Sequence, residues 1–425
     1  MPTSPLKALL LTAALAAPLA APAAQTFDSS FGDASQDSHA GIADIEALGA
    51  GGAFMAMPTQ DSPFFGNPAH MTQSPLVGFT VVGATASAGG NVRESYDFYT
   101  DELGPALEEG LDEIRRTDPE RLDGLYRSAL AVGRSQKTAD LALLAPSLRV
   151  RTGPVGVGAG VFGRAISRVR IIDAGAGLPA IDAYGQGDVL VPVVAAARIP
   201  GAPFGLSVGA SATYLQRRIT AKSEVLDAID PDNETVHLLK GETVRLAAGL
   251  YARDVVLPGL DLGASVTDIG GNVEYERDQT RRIDDFGATV TPSPDDEAEV
   301  AALIARFEER GAQPAVRVGA AYRVPLPPMS GLLVRDVAVA ADYTTASTAH
   351  LDQSVQAGLR AGATATFATF LNLRAGISQG MPSGGVGLHT KVARLNVATY
   401  GVEDGRLLGQ ARRRAYALQL RFGLF

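Results

Sequence analysis

Several stretches of this sequence carry residue types at spacings that chemistry uses. "GLSVG", Gly205 to Gly209, places Ser207 in the pattern of a nucleophile elbow. That chemistry needs a sharp strand-to-helix turn that exposes the serine, with histidine and acid partners nearby. Here "SATYLQRR" continues a strand, so a lipid-hydrolase reading has only the local pattern behind it. "GAGVFG", Gly158 to Gly163, matches a dinucleotide fingerprint, but "RAISRVRI" follows where a helix N-terminus would have to meet the phosphates. "DPDNE", Asp230 to Glu234, lacks the glycine and distal glutamate of a calcium loop. The histidines at 39, 70, 237, 350 and 389 have no ligand spacing, and the chain has no cysteine. No catalytic residue, metal or cofactor is expected, and the chain does not read as an enzyme.

What remains is a distribution of charge. Arginines recur inside alternating segments, among them Arg149, Arg151, Arg245, Arg253, Arg317 and Arg323, while acids collect between segments, as in "SPDDEAE". A net charge of −9 gives a nucleic-acid role no electrostatic support.

The elements that carry these arginines are strands. From Leu76 onward, segments of roughly ten residues alternate apolar with small or polar positions. They fall near 76–88, 141–151, 155–168, 187–199, 204–220, 239–255, 259–268, 312–324, 332–346, 352–366, 369–379, 383–391, 393–403 and 411–425. About fourteen strands is an even number, as single-chain bacterial barrels require. Every second connection is short, such as "TGP" and "LPG". The alternate ones include four long loops, near 89–140, 169–186, 221–238 and 269–311. Short turns at one end and long loops at the other is the asymmetry of outer-membrane barrels. Helical spacing marks 102–116, 119–133 and 297–311 as insertions within the loops.

The first 24 residues read as a secretory signal, with Lys7 ahead of an apolar stretch and a small-residue cleavage site. No later run is long and apolar enough for a transmembrane helix. An arginine facing lipid at mid-depth costs about 2–4 kcal/mol, so the strand arginines should point into the lumen. There they either favour an anionic or carboxylate-bearing solute or form ion pairs that fill the barrel.

"ALGAGGAFMAMPTQDSPFFGNPAHM", Ala47 to Met71, resembles the N-terminal signature of FadL-like outer-membrane proteins: a glycine-rich stretch, a polar or acidic residue such as Asp61, then Asn67-Pro68-Ala69. The superfamily includes long-chain fatty-acid and hydrocarbon transporters, and relatives that serve type IX secretion or are conjugal-transfer TraF-like. The resemblance implies a fourteen-stranded barrel plugged by an N-terminal hatch. Residues 25–75 would form the periplasmic segment and hatch, and residues 76–425 the barrel. Asn67, Pro68 and Ala69 would belong to the hatch, with Phe64 and Phe65 as apolar contacts on the path of a hydrophobic ligand. Phe425 ends the chain as such barrels commonly do for recognition by the barrel-assembly machinery. The apolar row near the C-terminus is Tyr416, Leu418, Leu420, Phe422 and Leu424, one residue out of the frame expected for a lipid-facing terminal Phe.

The expectation is therefore an all-β transmembrane barrel of the Gram-negative outer membrane, in contact with its lipid and lipopolysaccharide. It would pass small hydrophobic or amphipathic molecules through a plugged lumen. The alternative is a non-transporting anchor or assembly factor that meets secretion or conjugation proteins.

Overall fold

Alternation of the sequence sets which side of each strand meets lipid. The computed structural model describes residues 44–90, 92–133, 137–175, 177–226, 235–282, 293–309, 314–326, 334–345, 355–403 and 412–425. The signal segment 1–24, residues 25–43 and the acidic stretch 230–234 lie outside the described residues.

A plug comes first, built from α1 (Ile45–Gly49), α2 (Ser62–Phe65) and a 3-10 turn (Pro68–Gln73). The wall follows as β1 (Val77–Gly89), β2 (Lys137–Thr152), β3 (Val155–Asp173), β4 (Pro179–Arg198), β5 (Ser207–Val225), β6 (Thr235–Ala252), β7 (Leu260–Ile269) and β8 (Glu274–Arg282). It continues as β9 (Ala315–Arg323), β10 (Val334–Thr344), β11 (Leu359–Phe367), β12 (Leu371–Ser378), β13 (Met381–His389), β14 (Ala393–Glu403) and β15 (Arg412–Leu424). Each strand pairs antiparallel with its neighbour, β1 pairs with β15, and β5 with β6, so the sheet closes.

Fifteen segments make fourteen wall positions because β7 and β8 share one. The lower half of β6, Leu246 to Ala252, pairs with β7, and its upper half, Thr235 to Glu242, pairs with β8. The seventh strand is thus broken at 270–273. Only β7 continues the wall to β9, and β8 has no strand on its other side among the described residues.

The outward rows are apolar. Val193, Val244, Leu250, Val318, Leu418 and Phe422 each expose 45–56% of their surface. A closed barrel with such a belt has its apolar face toward lipid and its polar face inward, the arrangement of a membrane barrel. The C-terminal frame follows the same rule. Tyr416, Leu418, Leu420, Phe422 and Leu424 face outward, while Gln419 and Arg421 are buried in the lumen. Phe425 falls on the inward row and its ring lies against the Arg394 guanidinium at 4.7 Å. The frame is what it is because Arg421 must reach the plug.

Wall height is uneven. β2 to β6 run 16–20 residues, whereas β9 and β11 to β13 run only eight or nine, about the least that spans a bilayer. Sequence alternation predicts long loops at 169–186, 221–238 and 269–311, and here the structure differs. β3, β4, β5 and β6 extend into the first two, and β8 lies in the third. Those extensions lie beyond the belt, where no lipid demands an apolar outer row, so period-two alternation of hydrophobicity fades.

Helices cover both sides of this taller wall: α3 (Val92–Phe98), α4 (Gly104–Glu109), α5 (Leu111–Thr117) and α6 (Pro119–Gly133) on the outward rows of β3 and β4, then α7 (Pro294–Glu309) on the inward side. Leu122, Leu125 and Ala129 of α6 bury against Leu226 and the partly buried Ile171 and Ile181. Val300 and Leu303 of α7 pack on Tyr184, Ile219 and Leu239. Ser293 and Asp296 open α7 with a reciprocal capping box, the Asp296 amide donating to Ser293 Oγ (3.2 Å) and the Ser293 amide to Asp296 Oδ2 (2.7 Å).

Glycines in the wall mark where the plug backbone lies on it. A Cβ on Gly209 would sit 2.5 Å from the Ala69 nitrogen, and one on Gly263 would overlap the Met55 carbonyl. Gly362 and Gly376 leave the same space for Ala50 and Gly51. Such glycines read as sites of close backbone approach. Gly263→Ala is therefore expected to lower thermal stability in detergent by about 1–3 kcal/mol. Gly187→Ala, whose nearest neighbour would be 4.0 Å away, should leave it unchanged. Equal melting curves for the two variants would remove this account of the wall.

Candidate functional site

The site is the plug and the wall around it. Short turns and caps shape the plug locally. Asp44 caps α1 by accepting from the Ala47 amide (2.9 Å). Asn67 caps the 3-10 turn by accepting from the Ala69 amide (3.1 Å), and Pro68 at the first position tolerates the missing donor. The Asn67 Nδ2 donates to the Leu250 carbonyl of β6 at 2.8 Å, which ties the turn to the wall. His70, fully buried, links Ser62 Oγ (2.8 Å) and the Met55 carbonyl (3.0 Å), and stands edge-on to Tyr251.

Two kinds of contact hold the plug, on opposite sides. On the side of β10 to β15 they are electrostatic. Glu46 lies 3.4 Å from Arg374, 3.3 Å from His389 and 3.6 Å from Arg394. Asp61 pairs with Arg421. Asp342 of β10 accepts from the amides of Phe54 (2.6 Å) and Met55 (2.8 Å). On the side of β3 to β6 apolar packing joins the Asn67 hydrogen bond. Phe64 and Phe65 pack on Phe162 of β3, with ring centroids at 5.6 Å and 4.8 Å, in one cluster with Met71, Leu144, Leu190 and Leu215. An aromatic pair of this kind contributes about 0.5–1.5 kcal/mol beyond its buried area.

The six arginines singled out from the sequence all lie on the inner side, and each has a partner. Arg149 donates to the Gln60 carbonyl (3.0 Å), and Arg317 lies over the Phe54 ring at 5.8 Å. Arg245 pairs with Asp268 at 3.0 Å. Arg151, Arg253 and Arg323 sit at the short-turn rim, bonded to the Ser74 carbonyl (2.8 Å), Gln73 Oε1 (3.2 Å) and Asp261 (2.5 Å). Their charge is spent on the plug and on wall carboxylates.

Glu46, Asp342 and His70 were not singled out by sequence reasoning. Asp61 was noted only as part of a motif. Acids just ahead of a Gly-Asn-Pro turn, in a chain whose strands carry arginines, were the available signal. Ser207 is fully buried at the start of β5, where its Oγ accepts from Thr72 at 3.0 Å, and no strand-to-helix turn exposes it. Gly158 of "GAGVFG" lies beneath Met71 of the plug.

Beside the aromatic pair is a cavity of about 40 Å³, lined by Phe64, Phe65, Leu190, Thr213, Arg245 and Leu246 among others. It has room for a few waters. Thr267 and Asp268, at the upper end of β7, also line it, so it adjoins the break in the seventh strand. Leu246 belongs to the outward row, 47% exposed, so the cavity is walled by lumenal and lipid-facing residues together. Asp268 and Gly270 have positive φ (59° and 66°), and Val273 turns inward to join the Phe64 cluster.

No protein-family model matches the chain, and no curated protein matches it. Solved structures do. The chain is similar to the Ralstonia pickettii toluene transporter TbuX, with 12% identity over 89% of this chain and 97% of that one, at a TM-score of 0.47. It is similar to the Pseudomonas putida toluene transporter TodX, with 11% identity over 89% and 96%, at 0.46. A Pseudomonas aeruginosa FadL homologue matches with 11% identity over 90% and 98%, at 0.45.

The plug acids give opposite pH dependences. Burial opposes ionisation of Glu46, but Arg374, His389, Arg394 and Arg421 outweigh it and hold the carboxyl at about 2. Its stabilisation is present above pH 4.5 and is lost as pH falls toward 2. Burial first, then Glu46 and Asp61, raise Asp44 from 3.8 to about 7, so stability linked to Asp44 is greatest below its unfolded value and falls as pH rises toward 7. Glu46→Gln should cost about 3–5 kcal/mol at neutral pH. Amide exchange in Ile45–Gly49 should speed up accordingly, with no further acid-induced loss between pH 4.5 and 2. Asp44→Asn should slow exchange at pH 7 and have little effect at pH 4. A faster-exchanging Asp44→Asn plug at pH 7 would contradict these assignments.

Proposed function

We propose that the chain is an outer-membrane barrel that admits small hydrophobic or amphipathic molecules by displacement of the Phe64–Phe65 side of its plug. The observation that carries this reading is the cavity beside those rings, bordered by the break in the seventh strand and by a lipid-facing leucine. A hydrophobic molecule leaving the lumen there would pass Leu246 of the lipid-facing row. Among the described residues β8 and β9 share no backbone pairing, so separating them there costs no ladder hydrogen bonds. A carboxylate-bearing member of the class would meet Arg245 and Arg317 at the cavity. At about 40 Å³ the cavity is too small for such a molecule, so passage requires the rings to move. The toluene transport of the TbuX and TodX barrels is consistent with cargo of this kind.

A second reading is an anchor or assembly factor for a secretion or conjugation apparatus. The filled lumen favours it: aromatic cluster, arginine pairs and the α7 cover occupy the inner space.

A disulfide separates the two. The chain has no cysteine, and Thr72 Oγ1 lies 3.0 Å from Ser207 Oγ, close enough for a bridge after Thr72→Cys with Ser207→Cys. Cells lacking the protein and complemented with wild type should take up alkane or fatty acid. The oxidised double variant should lose most of that uptake, and reductant should restore it. Uptake unaffected by the bridge would show that the plug is no gate. Normal uptake in cells without the protein would leave the anchor reading.

A further inference from the structure

The outer wall carries a depression of about 650 Å³ across β6, β7, β9, β10 and β11. Strand register arranges its lining in two rows that cross the strands. One row is Ala252, Leu262, Ala320 and Ala341; the other is Leu250, Ala264, Val318, Tyr343 and Leu359. Three of the four residues in the first row are alanine, flanked by leucine, valine and tyrosine, so the wall is hollowed along its length. The plug lies directly behind the wall at this level. Gly263 and Gly319 lie in the same strands; a Cβ on Gly263 would overlap the Met55 carbonyl of the plug, and one on Gly319 would meet the Asp342 carboxylate and then Met55 Cβ. Asp342, between Ala341 and Tyr343, holds the Phe54 and Met55 amides from the inner side.

The hollow is continuous with the established lipid-facing belt. Leu246 and Val316 border it toward the loop end, 47% and 43% exposed, and its own Leu250 and Val318 are 50% and 45% exposed. What meets this surface is hydrocarbon. The longer row crosses four strand spacings, about 19 Å at roughly 4.8 Å each. One leaflet of the hydrocarbon core is about 15 Å deep. The length suits a single acyl chain.

We propose that this groove binds one acyl chain of a bilayer phospholipid, laid across the strands and backing the wall where it rests on the plug at Met55. The site does not depend on what the lumen carries. Barrels reconstituted in nanodiscs of phosphatidylethanolamine and phosphatidylglycerol, then extracted in mild detergent, can be weighed by native mass spectrometry. Wild type should retain one phospholipid. Ala320→Phe and Ala341→Phe, each filling the groove from the lipid side, should lower the lipid-bound fraction about tenfold, equivalent to about 1.4 kcal/mol. Val386→Phe on β13, in the belt but outside the groove, should retain the lipid as wild type does. Because Ala341 is already exposed to lipid, its variant keeps the test informative if Ala320→Phe does not fold. Equal retention in all four proteins would overturn the proposal. So would a wild-type dimer that the groove variants convert to monomer, which would mark the surface as a contact between two copies.

Discussion

The plug backbone can lie on the barrel wall only where the wall has no side chain. Gly209, Gly249, Gly263, Gly362 and Gly376 point inward at the level where residues 50–69 pass, and a methyl group on any of them would displace the main chain or Asn67. This fixes more than local packing. Each glycine has to sit at plug height on its own strand, which sets the register of that strand against its neighbours. Register in turn decides which residues face the lumen, because a one-residue slip exchanges the two faces. The inward arginines, the outward leucines and valines, and the frame of the last strand all follow from that placement.

Electrostatics then divides the plug into a side tied by carboxylates and a side where apolar packing is joined only by uncharged hydrogen bonds such as those of Asn67 and Thr72. Glu46, Asp61 and Asp342 tie residues 46–61 to β10, β12, β14 and β15. Breaking one of these buried pairs leaves an uncompensated charge. Across the lumen, Phe64 and Phe65 pack in an apolar cluster beside a cavity, next to the break between β7 and β8. Apolar contacts are not directional, so the rings can give way to another apolar surface at little cost. The rigid and yielding halves of the plug are thus a consequence of which residues face which strands.

Much of this was legible in the sequence. The strands within the lipid belt showed clear alternation, and their positions were read to within a few residues for β1, β7, β12 and β14. Helical spacing marked α6 at 119–133, and most of α7. β8 was missed for a physical reason. "EYERDQTRR" lies beyond the belt and at an open edge, where charge protects against unwanted pairing, so it has no apolar row to recognise. The break at 270–273 was hidden with it. Within the site, Phe64, Phe65 and Asn67 were read as plug contacts from a motif. Their partners were not, because Phe162 and Leu250 come to the plug only through closure of a barrel whose strands lie 98 and 183 residues away in sequence. Long-range pairings of this kind leave no local signature.

The central claim is that a hydrophobic molecule passes beside Phe64 and Phe65 and leaves through the break in the seventh strand. A photoreactive alkane given to wild-type barrels in vesicles, with the cross-linked residues mapped by mass spectrometry, tests it most directly. The account predicts labelling of Phe64, Phe65, Leu246 and Thr267 in addition to the outer belt. Labelling confined to outward residues such as Val318 and Leu418, with none on the two phenylalanines, would contradict it.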